Sequence, residues 1–416
     1  EAKPWVEEGT RQFDRHAVIV LVLAVLSLIA LGVVLIFSSS SKAALELESV
    51  DDPAFFLKRH LTFLGIALIG CVVAFSFTLD RLRRLAPWIW GGALLALVLV
   101  LIPGVGSDFN GARRWLRFGG LGFQPSDFAK LALVLVLAHH LAKLHVQRRL
   151  GSLQRGFLPV LGYLAPTAGL ILIAPDFGTT VFLSCIAVLL FWIAGGRLRH
   201  VAIAALPLLL LVSGVVIAKF DHVKPRIETY LDPGADPSGE GYQINQSLIA
   251  LGAGGVNGVG LGQSRQALSY LPEEKTDFIF AILGEELGLL GTGFALTCYL
   301  LILLAGLRIA ARAPNRFGQL LGTGVVLLIV LQAAFNIAVV TASVPNKGIA
   351  LPFLSFGGSL TFFYLGAVGL LLGIARTTWV VDQATLPHAS TDGEKGSFRA
   401  RVNAASRRMR YTRSRR

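Results

Sequence analysis

The residues that could do chemistry are few, and they cluster where polar stretches meet apolar ones. Asp277 ends the polar run Tyr270-Leu271-Pro272-Glu273-Glu274-Lys275-Thr276, and the apolar run Phe278-Ile279-Phe280-Ala281 follows it. A carboxylate at such an edge loses part of its hydration and becomes a stronger base, which is what general-base catalysis asks for. Asp is equally suited to cap the helix that follows, and the two roles are compatible. Lys130 follows Asp127 by three positions, which puts both on one helical face. An ionisable side chain within an apolar span is a functional candidate by default, with a structural ion pair as the alternative. Glu285 and Glu286 follow Asp277 by eight and nine positions, about 12 Å deeper along a continuous helix. They read as hydrogen-bonded structural groups or as a second polar site. Arg113 and Arg114 stand beside Trp115, where they could hold an anion or anchor to headgroups, and Asp176 could be a cap or a substrate contact.

Helices in a bilayer must position these residues. The chain of 416 residues is 54% hydrophobic and 15% charged, with a mean hydropathy of +0.66. That composition makes lipid the main solvent. A spanning helix needs about 20 apolar residues, and such runs recur at 17–37, 60–79, 87–103, 128–144, 157–174, 179–195, 200–219, 278–307, 317–343 and 357–376. The predicted fold is therefore an all-α integral membrane protein of about ten spans. A cytoplasmic segment, 1–16, precedes the membrane domain, 17–376, and a basic cytoplasmic tail, 377–416, follows it. The least secure division is at Ala174-Pro175-Asp176-Phe177-Gly178, where a single kinked span would give nine. With ten spans and both termini inside, 25 of the 38 Lys and Arg residues fall on the inner side, as the positive-inside rule requires. The carboxylates run the other way, 15 of 25 lying in outer loops. Carboxylate chemistry would therefore sit on the outer face.

Several tempting readings fall away. Cys71, Cys185 and Cys298 all lie in apolar runs with no ligand spacing and read as small hydrophobes. The net charge of +13 comes largely from inner loops and the Arg-rich tail, which has no nucleic-acid fold signature and suits anionic headgroups or a cytoplasmic partner. The longest outer loop, 221–276, carries the glycine-dense run Leu251-Gly252-Ala253-Gly254-Gly255 through Gly262. It lacks the Gly-Lys-Ser/Thr ending of a nucleotide loop, leaving a substrate-facing loop or a structural re-entrant turn.

Motifs along the chain carry a resemblance. Asn110-Gly111-Ala112-Arg113-Arg114-Trp115, Gln124-Pro125-Ser126-Asp127-Phe128-Ala129-Lys130, Pro175-Asp176-Phe177-Gly178-Thr179, Tyr242-Gln243-Ile244-Asn245-Gln246-Ser247, Thr276-Asp277-Phe278-Ile279-Phe280-Ala281, Glu285-Glu286-Leu287-Gly288 and Leu351-Pro352-Phe353-Leu354-Ser355-Phe356-Gly357-Gly358-Ser359 stand in that order. The stretch from about Asp14 to Arg376 resembles the shape, elongation, division and sporulation family of peptidoglycan glycosyltransferases. The resemblance implies a ten-span enzyme that polymerises lipid II, the undecaprenyl-pyrophosphate-linked disaccharide pentapeptide, on the outer face of the cytoplasmic (inner) membrane. It matches the family's essential carboxylate to Asp277, as general base. Lys130, Arg113, Arg114, Asp127, Asp176, Gln243, Gln246, Ser247, Lys347, Ser355 and Ser359 are the candidate substrate-binding residues. A pyrophosphate leaving group would suit Mg²⁺ or Mn²⁺, although no carboxylate cluster dedicated to a metal is visible. The partners implied are a monofunctional class B penicillin-binding transpeptidase and regulatory membrane proteins of the divisome.

Four positions depart from the family pattern: Asp127 where Glu is usual, Ala267 where a polar or basic residue is usual, Lys275 for His and Phe356 for Tyr. None touches Asp277. Tyr270 and Pro345-Asn346-Lys347-Gly348 look more like the division branch, at the septum, than the elongation branch. A lipid II flippase and a non-catalytic divisome scaffold are the rival functions. A flippase would be expected to string its essential charges through the membrane, and a scaffold would tolerate loss of Asp277.

Overall fold

The computed structural model describes residues 13–45, 52, 54–109, 112–118, 121–202, 240–266, 276–345 and 348–385. Its helices are α1 (Arg15–Leu45), α2 (Phe55–Ser76), α3 (Leu79–Leu101), α4 (Pro125–Val146), α5 (Leu158–Ile173), α6 (Phe177–Ile193), α7 (Glu240–Gly254), α8 (Ile279–Ala311), α9 (Arg316–Val340) and α10 (Gly358–Thr385). Eight apolar stretches are long enough to cross a membrane, and α6 is a shorter apolar helix of 17 residues. Nine of the ten predicted spans thus appear as helices. The seventh, 200–219, leaves the described residues after position 202, and most of the 221–276 loop and the tail beyond 385 also lie outside them. The described residues up to Trp379 form one compact unit.

The doubtful division at Ala174 to Gly178 is a true reversal. α5 ends at Ala174 and Asp176 caps α6, its Oδ1 accepting from Thr179 N at 3.1 Å. The ring of Phe157, just before α5, lies 5.3 Å from that of Phe191 near the end of α6, so the two helices run antiparallel. α3 begins at Leu79, eight residues before the predicted start. The Thr78 side chain accepts from Arg81 N and Asp80 sits in the first turn, so the charged stretch thought to be a loop is the capped opening of the helix. α4 likewise starts at Pro125, which draws Asp127 into its first turn.

Between α3 and α4 the chain forms a small antiparallel sheet in the order β1 (Gly106–Phe109), β2 (Ala112–Phe118), β3 (Leu121–Phe123). It is the one element outside the helical architecture among the described residues. The opposite end of the bundle is tied by arginines. Arg312 pairs with Asp14 at 2.6 Å, joining the end of α8 to the start of α1. Arg316 donates to Ile193 O at the end of α6, and Arg376 to Ser76 O at the end of α2, where orphan carbonyls attract cations.

Candidate active site

The polar interior gathers along one face of α9. Lys130, 6% exposed, pairs with Asp127 Oδ1 at 2.8 Å and donates to Gln332 Oε1 at 2.9 Å. Its ammonium also lies 5.8 Å from the Phe182 ring centre and 5.7 Å from that of Tyr364, as cations over aromatic faces do. The Tyr364 hydroxyl donates to the same Gln332 oxygen. Gln332 Nε2 in turn donates to Ala350 O at 2.9 Å.

One turn further along α9, Asn336 spends both amide hydrogens on carbonyls, Asp277 O at 2.6 Å and Ile349 O at 2.7 Å. Two acceptors facing one group fix which end of the amide carries nitrogen. Asp277 itself is half-buried and stands one residue ahead of Phe278, the N-cap position of α8, which makes no side-chain cap. Its Oδ2 lies against Gly348, so close that a Cβ there would meet it at 2.6 Å. Ser355, fully buried, accepts from Leu351 N at 2.7 Å and donates to Thr276 O, next to Asp277. Tyr299 Oη donates to Pro352 O at 2.5 Å. The segment from Gly348 to Ser355 is thus a wall behind the Asp277 carboxylate, held by side chains of α8, α9 and its own turn.

Glu285 and Glu286 lie on the helical stretch that opens α8, just ahead of a break. α8 breaks at Gly288, whose φ of +64° and ψ of −157° are non-helical. The chain following α7 folds back against this break. Val259 N and Gly260 N donate to the carbonyls of Glu285 and Glu286, at 2.9 and 3.0 Å. The Glu285 carboxylate accepts from Ser264 Oγ and, at 3.0 Å, from Arg265 N. That of Glu286 accepts from Ser38 Oγ of α1 at 2.7 Å and from Gly262 N at 3.1 Å.

The remaining sequence candidates fall in three places. Arg114 donates to Ala174 O at 3.0 Å and to Pro175 O at 2.6 Å, fastening β2 to the α5–α6 reversal beside the cap Asp176. Arg113, its neighbour on β2, is half-buried. Gln243 and Gln246 are half-buried on α7, which Ser247 ties to the end of α9 through Val340 O at 2.8 Å. Ser359 accepts from Gln124 N at 3.1 Å, ahead of α4. Lys347 lies outside the described residues. Gln332 and Asn336 were not expected from sequence. Two amides four positions apart in an apolar span are the signal that points to them. Among the described residues no three His, Cys, Asp or Glu side chains converge to hold a metal ion.

An apolar helical bundle that concentrates its buried polar groups beneath one carboxylate defines a polytopic membrane protein with an active-site-like centre. Residues 19–379 match the FtsW, RodA and SpoVE family, described as cell cycle protein. The chain is 40% identical to the probable peptidoglycan glycosyltransferase FtsW of Trichlorobacter lovleyi over 357 residues, 86% of this chain and 92% of that protein. It is also 40% identical to stage V sporulation protein E of Bacillus subtilis, over 86% of this chain and 96% of the relative. Among solved structures it resembles a chain of a peptidoglycan synthase complex that coordinates polymerization and crosslinking, with TM-score 0.70 and 28% identity, covering 86% of this chain and 97% of that one. RodA, the rod shape determining protein of Thermus thermophilus, gives TM-score 0.62 at 28% identity, covering 86% and 96%. The chain belongs to the FtsW, RodA and SpoVE family of cell cycle proteins.

Proposed function

We propose that this chain is a peptidoglycan glycosyltransferase that polymerises lipid II during septal wall synthesis, with its sheet end on the outer face of the cytoplasmic membrane. The observation that carries the reading is the setting of Asp277. Its carboxylate is half-buried at the end of an apolar helix, and its backbone carbonyl is held by Asn336. The positive-inside distribution supports a cytoplasmic arginine-tied end and an outer position for Asp277. Family membership and the relatives named as probable peptidoglycan glycosyltransferases support lipid II as the substrate.

The acceptor sugar's 4-hydroxyl is a weak nucleophile at neutral pH. In this reading Asp277 takes its proton as the oxygen bonds to the donor's anomeric carbon. The bond from that carbon to the lipid pyrophosphate breaks on the opposite face, and its electron pair leaves with the undecaprenyl pyrophosphate. One in-line displacement inverts the anomeric centre. The departing anion needs cations rather than an acid, and Arg113 and Lys347 are the basic candidates. A class B penicillin-binding transpeptidase would crosslink the strands, with divisome membrane proteins regulating the pair.

The test is glycan synthesis from lipid II by the purified protein with its transpeptidase partner, comparing the native chain with Asp277→Ala and Asp277→Asn of matched thermal stability. A general base contributes on the order of 10²- to 10⁴-fold, and a loss of that size is expected from both variants. Native-level product from the variants would remove Asp277 as the base. No product from the native chain would return the protein to transport or scaffolding.

A further inference from the structure

We infer that Gln332 and Asn336 are positioning residues for Asp277, and that Lys130 acts through Gln332 rather than on the departing pyrophosphate. The inference rests on the glycosyltransferase reading above for its kinetic half only.

Three observations carry it. First, Asn336 is a single amide bridging two separate parts of the site. One N–H goes to Asp277 O and the other to Ile349 O, so the start of α8 and the wall behind the carboxylate are held at a fixed separation. The side chain is 1% exposed, and losing it would leave the buried Ile349 carbonyl unpaired. Second, Gln332 repeats the arrangement one turn away. Its Nε2 holds Ala350 O, while its oxygen accepts from both Lys130 Nζ and the Tyr364 hydroxyl. A terminal amide rotates readily unless both ends are engaged. The ammonium and the phenol orient the oxygen and thereby aim the nitrogen at the wall. Third, Lys130 is already committed. A carboxylate oxygen at 2.8 Å, the Gln332 oxygen and two aromatic faces surround an ammonium that is almost wholly buried. A cation so enclosed is a poor receptor for a diphosphate and a good clamp for an amide.

The two amides, four positions apart on one face of α9, therefore form a ladder. Its rungs fix the successive carbonyls Ile349 and Ala350, next to the Gly348 backbone on which the Asp277 carboxylate rests. A shift of the wall would move the base. Misplacement of a reacting group by about 1 Å can cost on the order of 10² in rate, without any change in how tightly substrate binds.

The experiment combines kinetics with amide exchange. Gln332→Met and Asn336→Leu remove the rungs with near-isosteric side chains. Lys130 is replaced together with its partner, as Asp127→Asn/Lys130→Met, so that no buried charge is left alone. Each variant is assayed for kcat and for the dissociation constant of lipid II, and hydrogen exchange is followed at Leu351, whose N–H is bonded to Ser355. We expect kcat to fall on the order of 10²-fold while the dissociation constant stays within about twofold. Leu351 exchange should rise by about tenfold, and the Asp127/Lys130 change should add little on top of Gln332→Met, since both act through one bond. A dissociation constant that rises in step with the lost activity of the Asp127/Lys130 variant would overturn the assignment of Lys130. Native kcat and native exchange in Gln332→Met and Asn336→Leu would overturn the ladder. If the native chain makes no glycan, the glycosyltransferase reading fails, and the exchange comparison alone then decides whether the amides hold the wall.

Discussion

Asp277 depends on the absence of a side chain opposite it. A Cβ at position 348 would meet Oδ2 at 2.6 Å, and the carboxylate, being the mobile end of a side chain, would give way. Gly348→Ala is therefore expected to leave the melting temperature within a few degrees of native and to lower glycan synthesis by about tenfold or more by displacing the base. Activity assays beside a thermal-shift measurement check it, and native activity would show that the carboxylate tolerates another position. Asp277 and Lys130 were legible because a charge in or beside an apolar run stands out. The serines were not. Ser247, Ser355 and Ser359 sit in the motifs expected to face substrate, and each hydroxyl bonds a backbone group within the protein. A hydroxyl can serve a carbonyl, an N–H or a sugar equally well, and only its neighbours decide.

At the scale of elements, the kink in α8 is the feature on which the outer region turns. Gly288 has a φ of +64°, and a Cβ on it would meet Gly258 N at 2.4 Å and Val256 O at 2.5 Å, both backbone atoms that cannot swing aside. Gly288→Ala should thus be destabilising by more than the roughly 1–2 kcal/mol of a left-handed non-glycine residue, lowering both the melting temperature and the yield of folded protein. Unchanged stability would mean that the break is not required. The glycine run and the Glu285-Glu286 pair were both visible in the sequence, but their relation was not. The stretch of α8 that carries the two acids is helical from Ile279, so they do lie about 12 Å along the helix from Asp277. The break after them frees the carbonyls of Glu285 and Glu286 to accept from Val259 N and Gly260 N, and the same glycine-rich turn brings Gly262 N to the Glu286 carboxylate. The sheet between α3 and α4 was hidden for a related reason: its strands are short, and even the longest, Ala112–Phe118, sets Arg113 beside Arg114 and Trp115 beside Leu116 without strict alternation, so they look like loop until they pair.

For the whole molecule, the orientation makes a prediction that needs no substrate. Arg117 on β2 and Arg149 after α4 are both exposed, at opposite ends of the bundle. In a chain whose three cysteines are replaced, Arg117→Cys should react with a membrane-impermeant maleimide on intact spheroplasts, and Arg149→Cys only after permeabilisation. The reverse pattern would invert the protein and place Asp277 in the cytoplasm.

The sequence by itself determined that the chain lives in a bilayer, where nine of its ten spans lie, with ends up to nine residues off, and which carboxylate meets an apolar edge. Those properties are local, because each span satisfies its own backbone hydrogen bonds and announces itself by hydropathy. Only the tertiary structure decided what surrounds Asp277. The wall from Gly348 to Ser355, the amides of α9 and the Asp127–Lys130 pair come from separate parts of the chain. A buried polar group takes whatever partner the packing brings within reach, and that choice is made in three dimensions.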